Sequence, residues 1–381
     1  MRMSLLFALL LALSVSAPAA TYVGSKACQT CHPAVYARWS KTRMANVVRD
    51  PAKEPGAVVG DFSKPNPLVT FKLSDVAFVY GDKWKQRYFY KRGNDYFVYP
   101  AQWDVENKVW RAYHPAAGTD WWTAHYPDDQ AQRPTGPLCD GCHSVNYNTA
   151  SHEVTEWNVG CEKCHGPGSD HVRQPLRTNV VNPLRLDPIR ANDVCLQCHT
   201  QGQPLKNPIE SKYYDWPVGY TAGDRLADYW KLEEHKLGET SFTHFPDGTA
   251  HKNRMQGNDF VQSQMYKKGV TCFACHDVHG TENNADLIRP AAVLCQTCHG
   301  NKPGHTNHVA AVDCAGCHMP KIEPEIAAVN VRSHTFKFMP PSLTVQYKEP
   351  NSCNACHADK DAAWANQNLD KWPQVSPWRL Q

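Results

Sequence analysis

The sequence predicts a mainly α chain with extensive loops, organised around a repeated five-residue word and carrying a small antiparallel β insert near its N-terminus. Three observations lead there. The word Cys-x-x-Cys-His occurs eight times and uses all 16 cysteines of the 381-residue chain. The 28 prolines and 22 glycines break up the intervals, which favours short helices joined by loops. Residues 66–115 differ, with aromatic and polar residues alternating on both sides of Arg92-Gly93-Asn94-Asp95, the pattern of a β-hairpin.

In chain order, Met1-Arg2-Met3 gives a positive start, Leu5 to Val15 is apolar, and Ala17-Pro18-Ala19 offers a cleavage site. Residues 1–19 therefore read as a secretory signal peptide cleaved near Ala19/Ala20, the apolar run being shorter than the ~20 residues that span a bilayer. Residues 20–135 form a one-word N-terminal region containing the β insert, and residues 136–200 a three-word segment. Residues 201–268 have no cysteine and form a connector, in which Leu226 to Leu237 shows helical periodicity. Residues 269–357 hold four words, and the tail, 358–381, begins as a helix at Ala362. The expected product is exported, periplasmic or extracellular, with no integral membrane segment after cleavage.

The words are CQTCH at Cys28/Cys31, CDGCH at Cys139/Cys142, CEKCH at Cys161/Cys164 and CLQCH at Cys195/Cys198. CFACH at Cys272/Cys275, CQTCH at Cys295/Cys298, CAGCH at Cys314/Cys317 and CNACH at Cys353/Cys356 complete the set. A disulfide framework needs no histidine after every second cysteine. Zinc takes four ligands where each word offers three. Covalent haem explains all three residues: two thioethers on one face of a helical turn, and an imidazole that turns under the ring to the iron. The sequence thus implies eight covalently bound haems c, with His32, His143, His165, His199, His276, His299, His318 and His357 as proximal ligands. Haem faces, with the 12 Trp, 16 Tyr and 12 Phe, would supply most of the core. The propionates of eight haems outweigh the net charge of +3, and no polybasic run occurs, so nucleic acid is not an expected partner.

Of 19 histidines, eleven lie outside the words. His171, His279, His305, His308 and His334 are the leading candidates for distal haem ligands, because each flanks a word closely enough to reach a neighbouring ring. His114, His125, His244 and His251 are further candidates, whereas His152 and His235 read as surface residues. Met44 and Met319 could serve as soft ligands, though packing explains them as well.

The stretches CDGCHSVNY, WNVGCEKCHGPGSDH, DFVQSQMYKKGVTCFACHDVHG, CAGCHMPK with a later SHTF, and CNACHADK resemble the exported multihaem cytochromes c with doubled CxxCH motifs, of cytochrome c-552/c-554 type. That resemblance implies a helix-rich chain with haems in stacked pairs, bis-His ligation, and electron transfer to redox partner proteins such as membrane quinol-oxidising or terminal reductase complexes. CHMPK with SHTF is also similar to pentahaem nitrite reductases, but their CxxCK word is missing. Octahaem hydroxylamine oxidoreductases and tetrathionate reductases use only CxxCH words. The alternative is therefore an oxidoreductase acting on a small nitrogen or sulfur compound at one open haem. The Cys28 word is one candidate for such an open iron, because Lys41, Arg43 and Met44 follow it without a histidine, although a distant His114 or His125 would close it. A filament or docking subunit is a third, structural reading.

Overall fold

The computed structural model describes residues 19–113, 133–300, 308, 313–324 and 329–372. The proposed signal peptide up to residue 18, His114, His125, His305 and the end of the tail lie outside the described residues.

A five-stranded antiparallel meander is the largest regular element, with β1 (Val48–Arg49), β2 (Phe78–Tyr80), β3 (Lys85–Arg92), β4 (Asp95–Asp104) and β5 (Val109–Ala112) paired in sequence order. The β3–β4 hairpin turns at Gly93-Asn94, with Arg92 opposite Asp95. Gly93 takes φ 63°, a left-handed conformation that a two-residue hairpin turn needs and that costs glycine little. The register slips between Arg87 and Phe89, where Tyr99, Pro100 and Ala101 of β4 stand against Tyr88 alone, so β4 bulges. Tyr88 and Phe89 are consecutive, yet both are buried, because each serves a different face of the sheet.

One face builds a small aromatic core of Val79, Tyr88, Ala101, Trp103 and Trp110, closed by Ala57 and Val76. Phe62 meets Tyr88 and Trp110 edge-on at 5.2 and 5.0 Å, the geometry that the ring quadrupoles favour. Gln86 fastens the covering loop: it accepts from the Val59 N–H and donates to the Ala57 and Gly81 carbonyls. The other face carries Val48, Tyr80 and Phe89 against Cys139 and Trp157. The insert thus shields its own core on one side and the second word on the other.

A mainly α chain is not what forms. Helix accounts for 32% and strand for 15% of the structure, and the longest described helix, Pro188–Leu196, has nine residues. The helix share is that of an average globular protein. The physical reason lies in the words, which ask for only one turn each. The histidine N–H donates to the carbonyl of the first cysteine in His32, His199, His276, His299 and His357, at 2.9 to 3.1 Å. Cys161–His165 and Cys314–His318 are five-residue helices that stop at the word.

The connector corrects a second expectation. Leu226–Asp228 is a single 3-10 turn, and Trp230–Leu232 is a strand paired with Gly202–Pro204. Leu226 and Trp230, whose spacing suggested a helix, are both buried against Leu196. The Trp230 indole donates to Thr200 Oγ1 at 3.1 Å, and the Leu226 N–H to Asp193 Oδ2 at 2.9 Å. Tertiary partners thus satisfy the same apolar pair in another backbone geometry. The tail helix, Ala362–Leu369, does form, capped by Asp361, which accepts from the Trp364 N–H.

Candidate haem-binding site

All sixteen cysteines are free thiols, so no disulfide competes for them. Among the described residues no three Cys, His, Asp or Glu side chains converge on a point that could hold a metal ion. What the fold does is bring words together. Cys28 meets Cys161, Cys142 meets Cys198, Cys195 meets Cys272, and Cys295 meets Cys314 through their sulfur atoms. Cys275 lies near Cys295, and Cys317 near Cys356. The contacts order the words: the first joins the third, the fourth joins both the second and the fifth, and the fifth to eighth follow in sequence. Cys164 of the third word neighbours Cys195 and Cys198 of the fourth.

Two carboxylates, Glu162 buried and Glu156 half-buried, fix the first junction. Glu162, inside the third word and only 3% exposed, accepts from the Val23, Gly24 and Gly168 N–H groups at 2.7 to 3.0 Å. Glu156 accepts from the Ser25 N–H and hydroxyl, and Ser25 Oγ in turn accepts from the Cys161 N–H at 2.8 Å. Burial raises the Glu156 pKa, and the Ser25 hydrogen bonds pull against it. At the fourth–fifth junction, Asn192 Oδ1 accepts from the Cys272 N–H at 2.9 Å while its amide donates to the Val270 carbonyl. At the second word, Trp216 lies against Gly141, where a Cβ would stand 1.8 Å from the indole. None of Glu162, Asn192 or Trp216 was singled out from sequence; a carboxylate in the variable centre of a word was the available hint.

The histidines arrange themselves in facing pairs. His32 and His171 have ring centres 6.3 Å apart and planes 11° from parallel. His165 and His279 stand 6.2 Å apart at 20°, and His308 and His357 6.1 Å apart at 25°. Two metal–nitrogen bonds of about 2.0–2.1 Å, plus about 1.1 Å from each nitrogen to its ring centre, give about 6.2–6.4 Å for two imidazoles on one metal. Carbonyl or carboxylate partners hold the Nδ1 atoms. His165 Nδ1 is 2.8 Å from the Val181 carbonyl, His171 Nδ1 3.0 Å from that of Leu176, and His279 Nδ1 3.1 Å from Asp277 Oδ1. That sets the tautomer and leaves Nε2 for a metal. The Cys28 word, the candidate for an open iron, has the His171 ring facing its own histidine.

His334 is fixed in the same way, with Nδ1 3.0 Å from the Arg332 carbonyl and its N–H donating to Asp259 Oδ2. It lies near both His276 and His199, and burial pushes its pKa down to about 4. His276 Nδ1 sits 2.9 Å from the Ala285 carbonyl. The remaining candidates are placed differently. His244 stacks on His235 at 4.4 Å, too close for a metal between them, and its Nδ1 meets Thr243 Oγ1 at 3.0 Å. His251 Nε2, the atom a haem would need, is 3.1 Å from the Ser241 carbonyl. His152 has both nitrogens engaged, by Asp95 and by Lys212.

His143 is the exception among the word histidines. Its Nδ1 is buried and has no hydrogen-bond partner, and the Tyr80 ring lies 5.2 Å away. Burial, with Arg254, Arg87 and Lys163 nearby, pushes its pKa down to about 4.

A continuous cavity of about 2100 Å³ is lined by cysteines and histidines of the first five words. An ordinary ligand pocket measures about 300–1,000 Å³, so this space suits several large flat groups. Arg43, Lys83, Arg87, Arg177, Arg185 and Arg254 also face it, a cationic lining matched to carboxylate-bearing groups.

Not every attachment cysteine sits in such an enclosed place. Cys298 of the sixth word is exposed and lies outside the cavity, as does Cys356 of the eighth, while Cys31 of the first is exposed at its edge. The reason at Cys298 is local. Its helix, Gln296–His299, is a single turn with no buried residue, and Leu294 just before it is the nearest side chain to enter the interior. The Thr297 hydroxyl reaches the Cys298 Sγ at 3.8 Å, and Cys275 of the fifth word is its neighbour across the junction. Cys298 therefore keeps the spacing of a thioether position but presents it at the surface, unlike the buried Cys142. Thiol pairs at thioether spacing, facing imidazoles and cationic walls together fit haem and define a protein built to hold several of them.

Comparison with known proteins agrees. Residues 264–304 match the family "Doubled CXXCH motif", and residues 104–166 match "Cytochrome c554 and c-prime". The "Multiheme cytochrome MtrA" of Shewanella baltica (strain OS185) is 26% identical over 149 residues, 38% of this chain and 43% of that protein. The chain thus spans less than half the length of this curated relative. In fold it is similar to the outer cell wall cytochrome OcwA, with a TM-score of 0.74 and 23% identity over 92% of this chain and 86% of that one. The undecahaem cytochrome from the S-layer of Carboxydothermus ferrireducens gives a TM-score of 0.53 at 19% identity, over 93% of this chain and 60% of that one. The chain is thus similar to multihaem c-type cytochromes, in sequence over part of its length and in fold over most of it, and its CxxCH words support covalently bound c-type haem.

Proposed function

We propose that the protein is an octahaem electron carrier of the periplasm or cell surface, with one covalent haem c at each of the eight words and mostly bis-His iron. The single observation that carries this reading is the set of three histidine pairs with ring centres 6.1 to 6.3 Å apart. His171 serves the haem of His32, His279 that of His165, and His308 that of His357, with His334 serving the fourth or fifth word. His244 and His251 keep other partners. The location rests on the apolar leader at residues 1–19 and on the cell-envelope setting of the two solved relatives; among the described residues no helix is long and apolar enough to cross a membrane.

Haem supplies reversible one-electron exchange at iron; the chain sets where each iron sits and how readily it accepts an electron. The imidazole pairs block substrate access, the Nδ1 acceptors keep the rings neutral and oriented, and the junctions at Glu162 and Asn192 hold successive words in contact. Partners are redox proteins, such as membrane quinol-oxidising or terminal reductase complexes. Intact mass after denaturation should give eight haems, and electron paramagnetic resonance should show mostly low-spin iron. A mass matching fewer than seven haems, or fast stoichiometric carbon monoxide binding joined to rapid turnover of nitrite, hydroxylamine or tetrathionate, overturns the carrier reading.

A further inference from the structure

The second word stands apart in three physical respects. Its contacts make it a side branch: it touches the fourth word through Cys142 and Cys198, while the first, third, fourth and fifth words continue the row without it. It is enclosed on both sides, by Tyr80 and Phe89 of the sheet against Cys139 and by Tyr214 and Trp216 against Cys142. Its histidine has a buried Nδ1 without an acceptor, where His165 and His276 each meet a carbonyl.

The charges add to this. Arg254 and Arg87 bear on His143, and Lys163 donates to the carbonyl of Gly141 inside the word. Arg87 is held by Gln102 and stacks on Tyr113, and Arg254 by Gln201 and the Asp215 carbonyl, so neither swings away freely. Two carboxylates oppose them. Asp140 is hydrogen-bonded by Thr135 and Tyr80, and Asp215 is already paired with Arg133 at 3.0 Å.

We infer that the second word binds the haem of highest reduction potential in the chain, an electron store that branches from the conducting row at the fourth word. The inference rests on the haem reading above. Ferric haem carries one more positive charge than ferrous haem. Burial disfavours the more charged state, nearby cations disfavour it further, and an imidazole lacking an Nδ1 acceptor is a weaker donor to ferric iron. All three effects favour the reduced form. An electron entering the row should come to rest here first and leave last.

The test is a redox titration of the holoprotein, with electrode and mediators as the electron source. At one electron per molecule, nuclear magnetic resonance signals of Tyr80 and Trp216 should shift while those of Trp39 and Trp364, beside the first and last words, stay. In Arg87→Gln and Arg254→Gln, the highest-potential step should move down, its reduced-to-oxidised ratio at fixed potential falling about tenfold, which is about 59 mV for one electron. The other steps should hold, and Arg87→Lys should restore the wild-type curve. Early shifts at Trp39 or Trp364, or charge-removing variants that move only a low-potential step, overturn the assignment. A full eight-haem mass with such a result sinks this inference alone; a short mass sinks the haem reading.

Discussion

Glu162 joins the first and third words, and its removal has a calculable cost. In Glu162→Ala, three backbone donors, those of Val23, Gly24 and Gly168, lose their shared acceptor. Hydrogen bonds to a charged group contribute about 1.5–3 kcal/mol each, so the low end for three is about 4–5 kcal/mol. The Val23 and Gly24 donors are only part-buried and regain water, which brings the expected loss to about 4 kcal/mol. That is a large share of the about 5–15 kcal/mol that holds a typical domain. The damage should be local, because only residues 19–27 and the Gly168 turn lean on this carboxylate. The thioethers keep the haem mass unchanged. Hydrogen exchange at Val23, Gly24 and Gly168 should accelerate by about three decades, since each 1.4 kcal/mol is about tenfold. The His32–His171 pair, whose second ring follows Gly168, should loosen and give a high-spin signal. Glu162→Gln retains one acceptor oxygen and should fall between. Acceleration below tenfold at all three amides, with spin state unchanged, would show that Glu162 does not carry the junction.

Other outcomes follow from the same geometry. His171→Ala and His279→Ala should each convert one low-spin haem to high spin without releasing it, whereas His251→Ala should leave the spin state alone. Electron paramagnetic resonance separates the two results. Gly141→Ala places a methyl inside the Trp216 indole and should cost stability by about 1–3 kcal/mol through overpacking, read as a lowered midpoint in denaturant. Asn192→Leu strips the Cys272 N–H of its acceptor and should destabilise by about 1–3 kcal/mol, with hydrogen exchange rising first at Cys272 and Val270.

The covalent chemistry is legible in the sequence because each word is self-contained: two sulfurs and an imidazole within one turn. The hairpin at Gly93-Asn94 is legible for a similar reason, being local alternation around a turn that needs glycine. Pairing across the chain is another matter. His171 and His279 stand out as flanking residues, but nothing in the sequence says that they face His32 and His165, since the folding of other words decides it. His244 and His251 lie in the connector, away from any word, and only the fold shows that their rings have other partners, His235 and the Ser241 carbonyl. Exposure is hidden in the same way: Cys142 and Cys298 occupy the same place in words of one pattern, yet one is buried and the other lies at the surface. The helix content was overestimated because a CxxCH turn advertises helix and then stops. Leu226 and Trp230 misled for a related reason: an i,i+4 apolar pair shows that both side chains are buried, not that the backbone between them is helical. Glu162 and Asn192 were invisible because their acceptor roles are set by backbone groups far away in sequence.

The histidine pairs have a topological consequence under the proposed ligation. His165 lies between His32 and His171 in sequence, and His171 lies between His165 and His279, so the two iron-closed loops are linked rather than nested. A protease that cuts once anywhere between His32 and His279 therefore leaves both pieces fastened through an iron. The nicked protein should travel as one body and keep its visible spectrum. Acid or a competing ligand that displaces imidazole should let the pieces part, so that coordination acts as a reversible rivet in a chain that has spent all its cysteines elsewhere.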